Sequence, residues 1–498
     1  MKKMLLFAVL ATFLQINSFA QLLDKWSLPP NILSFDGSGG ITSTPLPTGP
    51  GTYDYKGGPS LYSHNAFFDK NGNLLLFAVD GNIYDKNGKL ISSGVNYNYQ
   101  DDNYDDNGSE CIIYPLYKDD YDRFNFPEEE RHKRKGELGL QRCQKFKVYT
   151  YNVYKDPIDY YVEDGHAFEI GTLLRTRIID VSTETPQGVW GTVEGEYFPP
   201  AGDNLAERNE DPYDFCRIYQ MGLTPLYRGK HYLFTIDCNT LRMGELNLFS
   251  GASCVGKGIK FSKGFENYDG YGRAELEVIK KKNGTQERLL FSKAATNYIE
   301  LLHTTSDFDT RINGFDDYLK NGVDHTPCST PFICTKCWLA PFNRAAIIDV
   351  GELAILKGLE FSPDGNYLYY NTTEDHYLYY VDLTAVNVFD DFQFVDLTPE
   401  PLPAAINGSI PDPSLFSDSQ IETGPDGRLY YLSQNEIGML ADPNNPNSSW
   451  STMGGFNIPG STGVEVIGTN KHLLRTLPDR IDDPAFLEDY RESPACCH

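Results

Sequence analysis

The sequence predicts an all-β protein, a single β-propeller of about seven blades, and three observations carry that expectation. Strand-like runs separated by Asn-Gly and Asp-Gly turns recur from about residue 60 to about residue 470. No long stretch shows the apolar period of an amphipathic helix. Aromatic residues suited to strands are abundant, with 33 tyrosines and 29 phenylalanines, as a pleated and largely covered surface favours.

In chain order, residues 1–20 have the form of a secretory leader. Lys2 and Lys3 precede an apolar stretch from Met4 to Leu14 and a small-residue exit at Ser18-Phe19-Ala20, which predicts cleavage after Ala20. That stretch is short of the roughly 20 residues a spanning helix needs, and no comparable run follows. The mature chain is therefore expected outside the cell or on its outer surface, without a transmembrane segment. A formal net charge of −26 sets it against nucleic acid and anionic lipid.

The turn grammar is clearest from His64 onward. Asp69-Lys70-Asn71-Gly72 reverses the chain, Leu74 to Val79 is a continuous apolar run, and Asp80-Gly81 and Asp85-Lys86-Asn87-Gly88 reverse it again. Asn-Gly and Asp-Gly accept positive φ cheaply and so set tight antiparallel hairpins. The pattern returns at Leu359 to Tyr370 around Asp364-Gly365, with a second run from Tyr377 to Leu383, and again at Ile421 to Tyr431 around Asp426-Gly427. Weaker copies are Tyr227 to Asp237 around Arg228-Gly229 and Lys282 to Ser292 around Asn283-Gly284. Gly365 and Gly427 are roughly 60 residues apart, longer than the common propeller repeat of about 40–50 residues but room for four strands with generous loops. The Leu74 to Val79 run lacks alternation, as an inner strand covered on both faces would.

Residues 21–483 are thus assigned to the propeller and 484–498 to a C-terminal tail. A loop excursion is expected at about 97–169, where Asp101 to Gly108 and the run Glu128 to Lys135 are too charged for a core. A Cys-rich loop is expected at about 321–342. All ten cysteines, at 111, 143, 216, 238, 254, 328, 334, 337, 496 and 497, follow the leader, and several disulfides are expected in an oxidising compartment.

The phrases His64 to Gly88, Gly358 to Tyr370 and Gln420 to Tyr431, with Asp442-Pro443-Asn444-Asn445-Pro446-Asn447 and Leu477-Pro478-Asp479, resemble the propeller-like N-terminal regions of large secreted proteins associated with gliding motility and type IX secretion. Phe361-Ser362-Pro363-Asp364-Gly365 is similar to the turn common to WD40-like and TolB-like propellers. The resemblance implies a surface or extracellular binding role and supplies no catalytic residues. Such regions are followed by adhesion-type modules and a sorting domain, whereas this chain stops at Ser493 to His498.

Each candidate site has a plainer explanation beside it. Gly251 to Gly258 nearly spells a phosphate loop, but Gly258 stands where the Mg²⁺-binding Ser or Thr belongs and no helix pattern follows, so a glycine-rich loop is expected. His325, Cys328, Cys334 and Cys337 have donors for zinc, and disulfides are expected there instead. Asp69, Asn71, Asn73 and Asp80 have calcium-loop spacing, yet Leu74 occupies the position of the required glycine, which favours a hairpin turn. Asp101, Asp102, Asp105 and Asp106 could hold calcium weakly, and a solvated loop is the default. Glu163, Asp164, His166 and Glu169 could serve acid–base chemistry only if they lined a cleft. Neither Gly-x-Ser-x-Gly nor His-Glu-x-x-His occurs.

No catalytic, cofactor or metal residue is therefore assigned, and no cofactor is expected, calcium and zinc being the remote alternatives. The reading is a non-enzymatic binding protein that contacts an extracellular protein or glycan through rim loops, with tyrosine-rich segments Tyr97-Asn98-Tyr99 and Tyr160-Tyr161 as stacking surfaces. The rival is a secreted propeller hydrolase or lyase, metal-assisted if His64, His166, His303 or His376 converge with carboxylates at the channel mouth.

Overall fold

The Asp-Gly and Asn-Gly reversals act first and locally. In the computed structural model Asp364 Oδ1 accepts hydrogen bonds from Ser362 Oγ (2.7 Å) and the Asn366 amide (2.9 Å), and the Gly365 amide donates to Ser362 O (2.7 Å). Gly365 sits at φ +64° and Gly427, in the matching turn, at +75°, a region only glycine enters without steric cost. The carboxylate thus replaces missing backbone partners while the glycine supplies the bend. Asp69 does the same for its own turn, accepting from Asn73 N (2.8 Å) and Asn73 Nδ2 (2.9 Å). Its carboxylate is used by the hairpin, and Asp80 Oδ1 turns to Ser60 Oγ (2.8 Å). The calcium-loop spacing therefore marks a hairpin.

The structure describes residues 25–35, 40–60, 63–69, 72–93, 111–115, 145–162, 165–197, 219–224, 227, 232–237, 240–245, 259–260, 276–294, 298–308, 342–350, 356–372, 378–391, 393–401, 421–432 and 437–453, the side chains of 115, 151–175, 195–197, 219–220, 232–260, 293–294, 356–357, 372, 432, 437, 450 and 452–453 excepted. These residues are nearly all β, and none of their helices is long and apolar enough to cross a membrane.

The described strands form seven separate sheets, built from consecutive strands except for one exchange between sheets 5 and 6. Sheet 1 holds β1 (Lys25–Leu28), β2 (Asn31–Phe35) and β3 (Ile41–Pro45). Sheet 2 holds β4 (His64–Phe68), β5 (Leu74–Val79), β6 (Asn82–Asp85) and β7 (Leu90–Ser92). Sheet 3 holds β8 (Cys111–Pro115), β9 (Lys145–Val162), β10 (Gly165–Glu184) and β11 (Trp190–Tyr197). Sheet 4 holds β12 (Tyr219–Leu223), β13 (Tyr232–Asp237), β14 (Thr240–Glu245) and β15 (Ile259–Lys260). Sheet 5 holds β16 (Leu276–Asn283), β17 (Gln286–Ala294), β18 (Tyr298–Thr304) and β19 (Phe342–Asp349). Sheet 6 holds β20 (Leu356–Phe361), β21 (Tyr367–Thr372), β22 (Leu378–Asp382) and, beyond a short β23 (Val395–Asp396), β24 (Glu400–Pro401). Sheet 7 holds β25 (Ile421–Thr423), β26 (Leu429–Leu432), β27 (Ile437–Leu440) and β28 (Trp450–Met453). Within each sheet the strands run antiparallel, except that β23 reaches back and pairs parallel with β19.

The first strands of successive sheets lie side by side: β1 by β4, β4 by β8, β12 by β16, β16 by β20 and β20 by β25. They are the inner strands of a β-propeller, and the cores lie between sheets. Ile32 of sheet 1 packs with Phe68, Phe77 and Val79 of sheet 2, and Leu290 and Ile299 of sheet 5 pack with Leu359, Leu368 and Val381 of sheet 6. Tyr430 and Met439 of sheet 7 join Trp26, Leu28, Leu33 and Phe35 of sheet 1, so the last sheet packs on the first and closes the ring. Trp26 meets Tyr430 edge-on at 5.4 Å and Phe35 at 5.2 Å. A thin sheet covered on both faces explains why these strands read as unbroken apolar runs.

Polar ties to turn carbonyls fix neighbouring sheets in register. Lys25 Nζ donates to Gly72 O (2.7 Å), Lys281 Nζ to Asp364 O (3.0 Å) and Tyr369 Oη to Pro443 O (2.6 Å). Arg177, wholly buried, donates through Nη2 to Gly81 O (2.7 Å).

Parts of the stretch read as a loop excursion, residues 111–115 and 145–162, form β8 and β9, where β-branched and aromatic residues pair with β10 through a long register. The charged runs 101–108 and 128–135 lie outside the described residues, as do the leader, the Cys-rich segment 321–341, the tail and nine of the ten cysteines. Cys111, on β8, is buried.

Candidate functional site

Three inner strands carry one pattern, a glutamate between residues that are buried or half-buried: Leu276-Glu277-Val278 on β16, Leu359-Glu360-Phe361 on β20 and Ile421-Glu422-Thr423 on β25. Alternation along a strand sends neighbours to opposite faces. Leu276 and Val278 pack back against Tyr227, Leu359 and Phe361 against sheet 5, and Ile421 against Tyr369 and Leu378 of sheet 6. Each glutamate accordingly projects from the opposite face of its strand. Glu360 shows the direction directly, since its Oε2 accepts a hydrogen bond from Thr423 N (3.2 Å).

The close approach has a steric cause. A Cβ placed on Gly358 would lie 2.7 Å from Ile421 N and one on Gly222 would lie 2.8 Å from Leu276 O. Glycine at these inner positions lets β20 meet β25 and β12 meet β16.

One carboxylate oxygen from each of Glu277, Glu360 and Glu422 lies within 4.8 Å of the other two. Glu360 is 1% exposed and Glu422 4%, while Glu277 is half-buried. Two unit charges at that spacing repel by about 3 kcal/mol at an effective dielectric constant near 20, and a cationic group among them is attracted on the same scale. The oxygen-only donor set suits a hard cation, the hydroxyls of a sugar or a basic side chain. Strands hold these groups, so little ordering is left for binding to require.

The histidines do not join this cluster among the described residues. His64, on β4, places Nδ1 3.4 Å from Ser27 Oγ on β1, and both residues are buried between sheets 1 and 2. His303, on β18, is wholly buried, with Nδ1 3.1 Å from Thr304 O. Burial, the largest influence, lowers its pKa. His166 lies in β10 opposite Tyr161, and Glu169 opposite Asp156; their side chains, with Glu163, Asp164 and His376, lie outside the described residues. So do the segments 251–258, 325–337 and 101–106, and Tyr97 to Tyr99. Tyr160 and Tyr161 belong to β9.

In the sequence these glutamates look like ordinary surface residues, because a charged residue in an alternating strand is ordinarily on its solvent face. The available signal was repetition: a glutamate next to a fully apolar residue at the start of three successive hairpins.

No protein-family model matches the chain, and no curated protein matches it. Among solved structures, the β-propeller domain of Cps50 (Swd1) from Myceliophteria thermophila is 11% identical with a TM-score of 0.36, covering 82% of this chain and 90% of that one. A protein from Lactobacillus plantarum is 10% identical with a TM-score of 0.37 over 86% of this chain and 95% of its own. A 6-phosphogluconolactonase-like protein from Bacteroides fragilis is 8% identical with a TM-score of 0.35 over 87% and 92%. At such identities nothing about activity passes from these proteins to this chain.

Proposed function

We propose that the chain is an exported binding protein without catalytic activity, which meets an extracellular protein or glycan at an axial end of the propeller. The observation that carries this reading is the convergence of Glu277, Glu360 and Glu422 on adjacent inner strands. Carboxylates fixed there accept hydrogen bonds from sugar hydroxyls and attract basic side chains. The net charge of −26 adds a long-range field that favours cationic partners. Export and surface placement are part of the proposal and rest on the leader at residues 1–20. An association with gliding motility rests on the turn phrases alone.

The metal-assisted hydrolase is the weaker reading, because His64 and His303 sit in different sheets and each has a local partner. The test is binding of the mature protein to a glycan panel and a basic-peptide panel, beside E422Q. Saturable retention that E422Q weakens supports the reading. Absence of retention on both panels, or turnover of ester, lactone or glycoside substrates above the buffer rate, overturns it.

A further inference from the structure

We propose that Glu277, Glu360 and Glu422, together with the Ser292 hydroxyl, form a site for one divalent cation of the calcium type between the inner strands of sheets 5, 6 and 7. This goes beyond the binding reading and does not depend on it.

The first support is the spacing. Calcium holds oxygen ligands at about 2.3–2.6 Å, so two oxygens on opposite sides of one ion stand roughly 5 Å apart. The three carboxylate oxygens, all within 4.8 Å of one another, fit inside that shell. Zinc prefers imidazole and thiolate, and the described donors include neither. Magnesium demands a shorter and near-octahedral shell, which strands fixed by three separate sheets are less able to contract around.

The second support is independent of the carboxylates. Ser292, on β17, is the direct cross-strand partner of Glu277, and directly paired residues project from the same face of a sheet. Its side chain is wholly buried, and its Oγ finds no hydrogen-bond partner among the described residues. A buried hydroxyl left without a partner is costly and calls for an explanation, an ion or an ion-bound water being among the usual ones. A cation beside Glu277 supplies it. Apolar neighbours Leu276, Val278, Leu359, Phe361 and Ile421 hold the strands that carry the ligands.

The test uses the mature protein stripped with EDTA and no organic ligand. Terbium is titrated while tyrosine-sensitised emission is followed, Tyr369 and Tyr430 being the cross-strand partners of Glu360 and Glu422. The expected result is saturable emission, displaced by calcium at lower concentration than by magnesium. E360Q and E422Q should weaken terbium binding by roughly tenfold or more, and S292A by a smaller factor. Calcium should raise the unfolding temperature of the stripped protein but not that of E360Q. No saturable emission from the folded protein overturns the site, as does equal terbium affinity in the protein and in E360Q with native near-ultraviolet circular dichroism. Displacement by zinc alone overturns the calcium assignment. Should the glutamate variants fail to fold, S292A and the calcium–magnesium competition still decide. Because no glycan or peptide is present, a negative result here leaves the binding panels of the preceding section independent, and the converse holds.

Discussion

Lys147 offers a direct measure of how dry the space between sheets is. It lies on β9 opposite Tyr114 and Ile178, is 5% exposed, and rests its Nζ 5.1 Å from the Tyr149 ring. Burial pushes its amine from the ordinary 10.5 down to about 8. At 1.36 kcal/mol per pH unit, that is a cost of roughly 3 kcal/mol in the charged form. The contact with Tyr149 offsets about 1–2 kcal/mol of it. Replacing the lysine with an apolar side chain of similar length, K147M, removes both, so the variant should be more stable at pH 7 by roughly 1–2 kcal/mol. The pH dependence has a definite sign. Below about pH 8 the amine is charged in the folded and unfolded chains alike, and the cost is present in full. Between about 8 and 10.5 the unfolded chain binds a proton that the folded chain does not, so stability rises with pH through this window. Buried phenols such as Tyr84, pushed up to about 12, act in the opposite sense above about pH 10, but both proteins share them. Urea unfolding of the two proteins at about pH 7, 8.5 and 10 should show the gap closing as pH rises. A variant less stable than the parent at pH 7, or a gap constant across the range, would refute a desolvated amine.

Two further outcomes follow from the packing. Y430F should cost about 1 kcal/mol by deleting the hydrogen bond from Tyr430 Oη to Asp426 Oδ2, whereas Y430A should cost about 3–5 kcal/mol because Trp26 and Phe35 lose their partner across the ring closure; thermal unfolding with near-ultraviolet circular dichroism at Trp26 separates the two. G358A should destabilise by about 1–3 kcal/mol, since the new methyl would stand 2.7 Å from Ile421 N, and equal unfolding midpoints for G358A and the parent would show that β20 and β25 are not in contact.

The hairpins at 359–370, 421–431 and 282–292 were legible because their information is local. An aspartate two residues from its own amide partner and a glycine at positive φ form the same turn in any fold. The convergence of Glu277, Glu360 and Glu422 was not legible, because each glutamate reads as an ordinary exposed strand residue. Its meaning depends on two other strands more than 60 residues away. The same holds for Lys147 and Arg177, whose charges suggest surface positions until the neighbouring sheets cover them. Along 145–162 the tyrosine-rich strand was hidden by the charged segments before it, and only its pairing with β10 makes it a strand.

By itself the sequence determined an all-β chain of short hairpins whose strands must be covered on both faces, because turn chemistry and apolar runs are properties of near neighbours. The tertiary structure alone decided that sheet 7 packs on sheet 1, that Ser27 meets His64, and that carboxylates from three different sheets converge. Ring closure fixes those contacts, and it is set by the packing of whole sheets rather than by any segment within one.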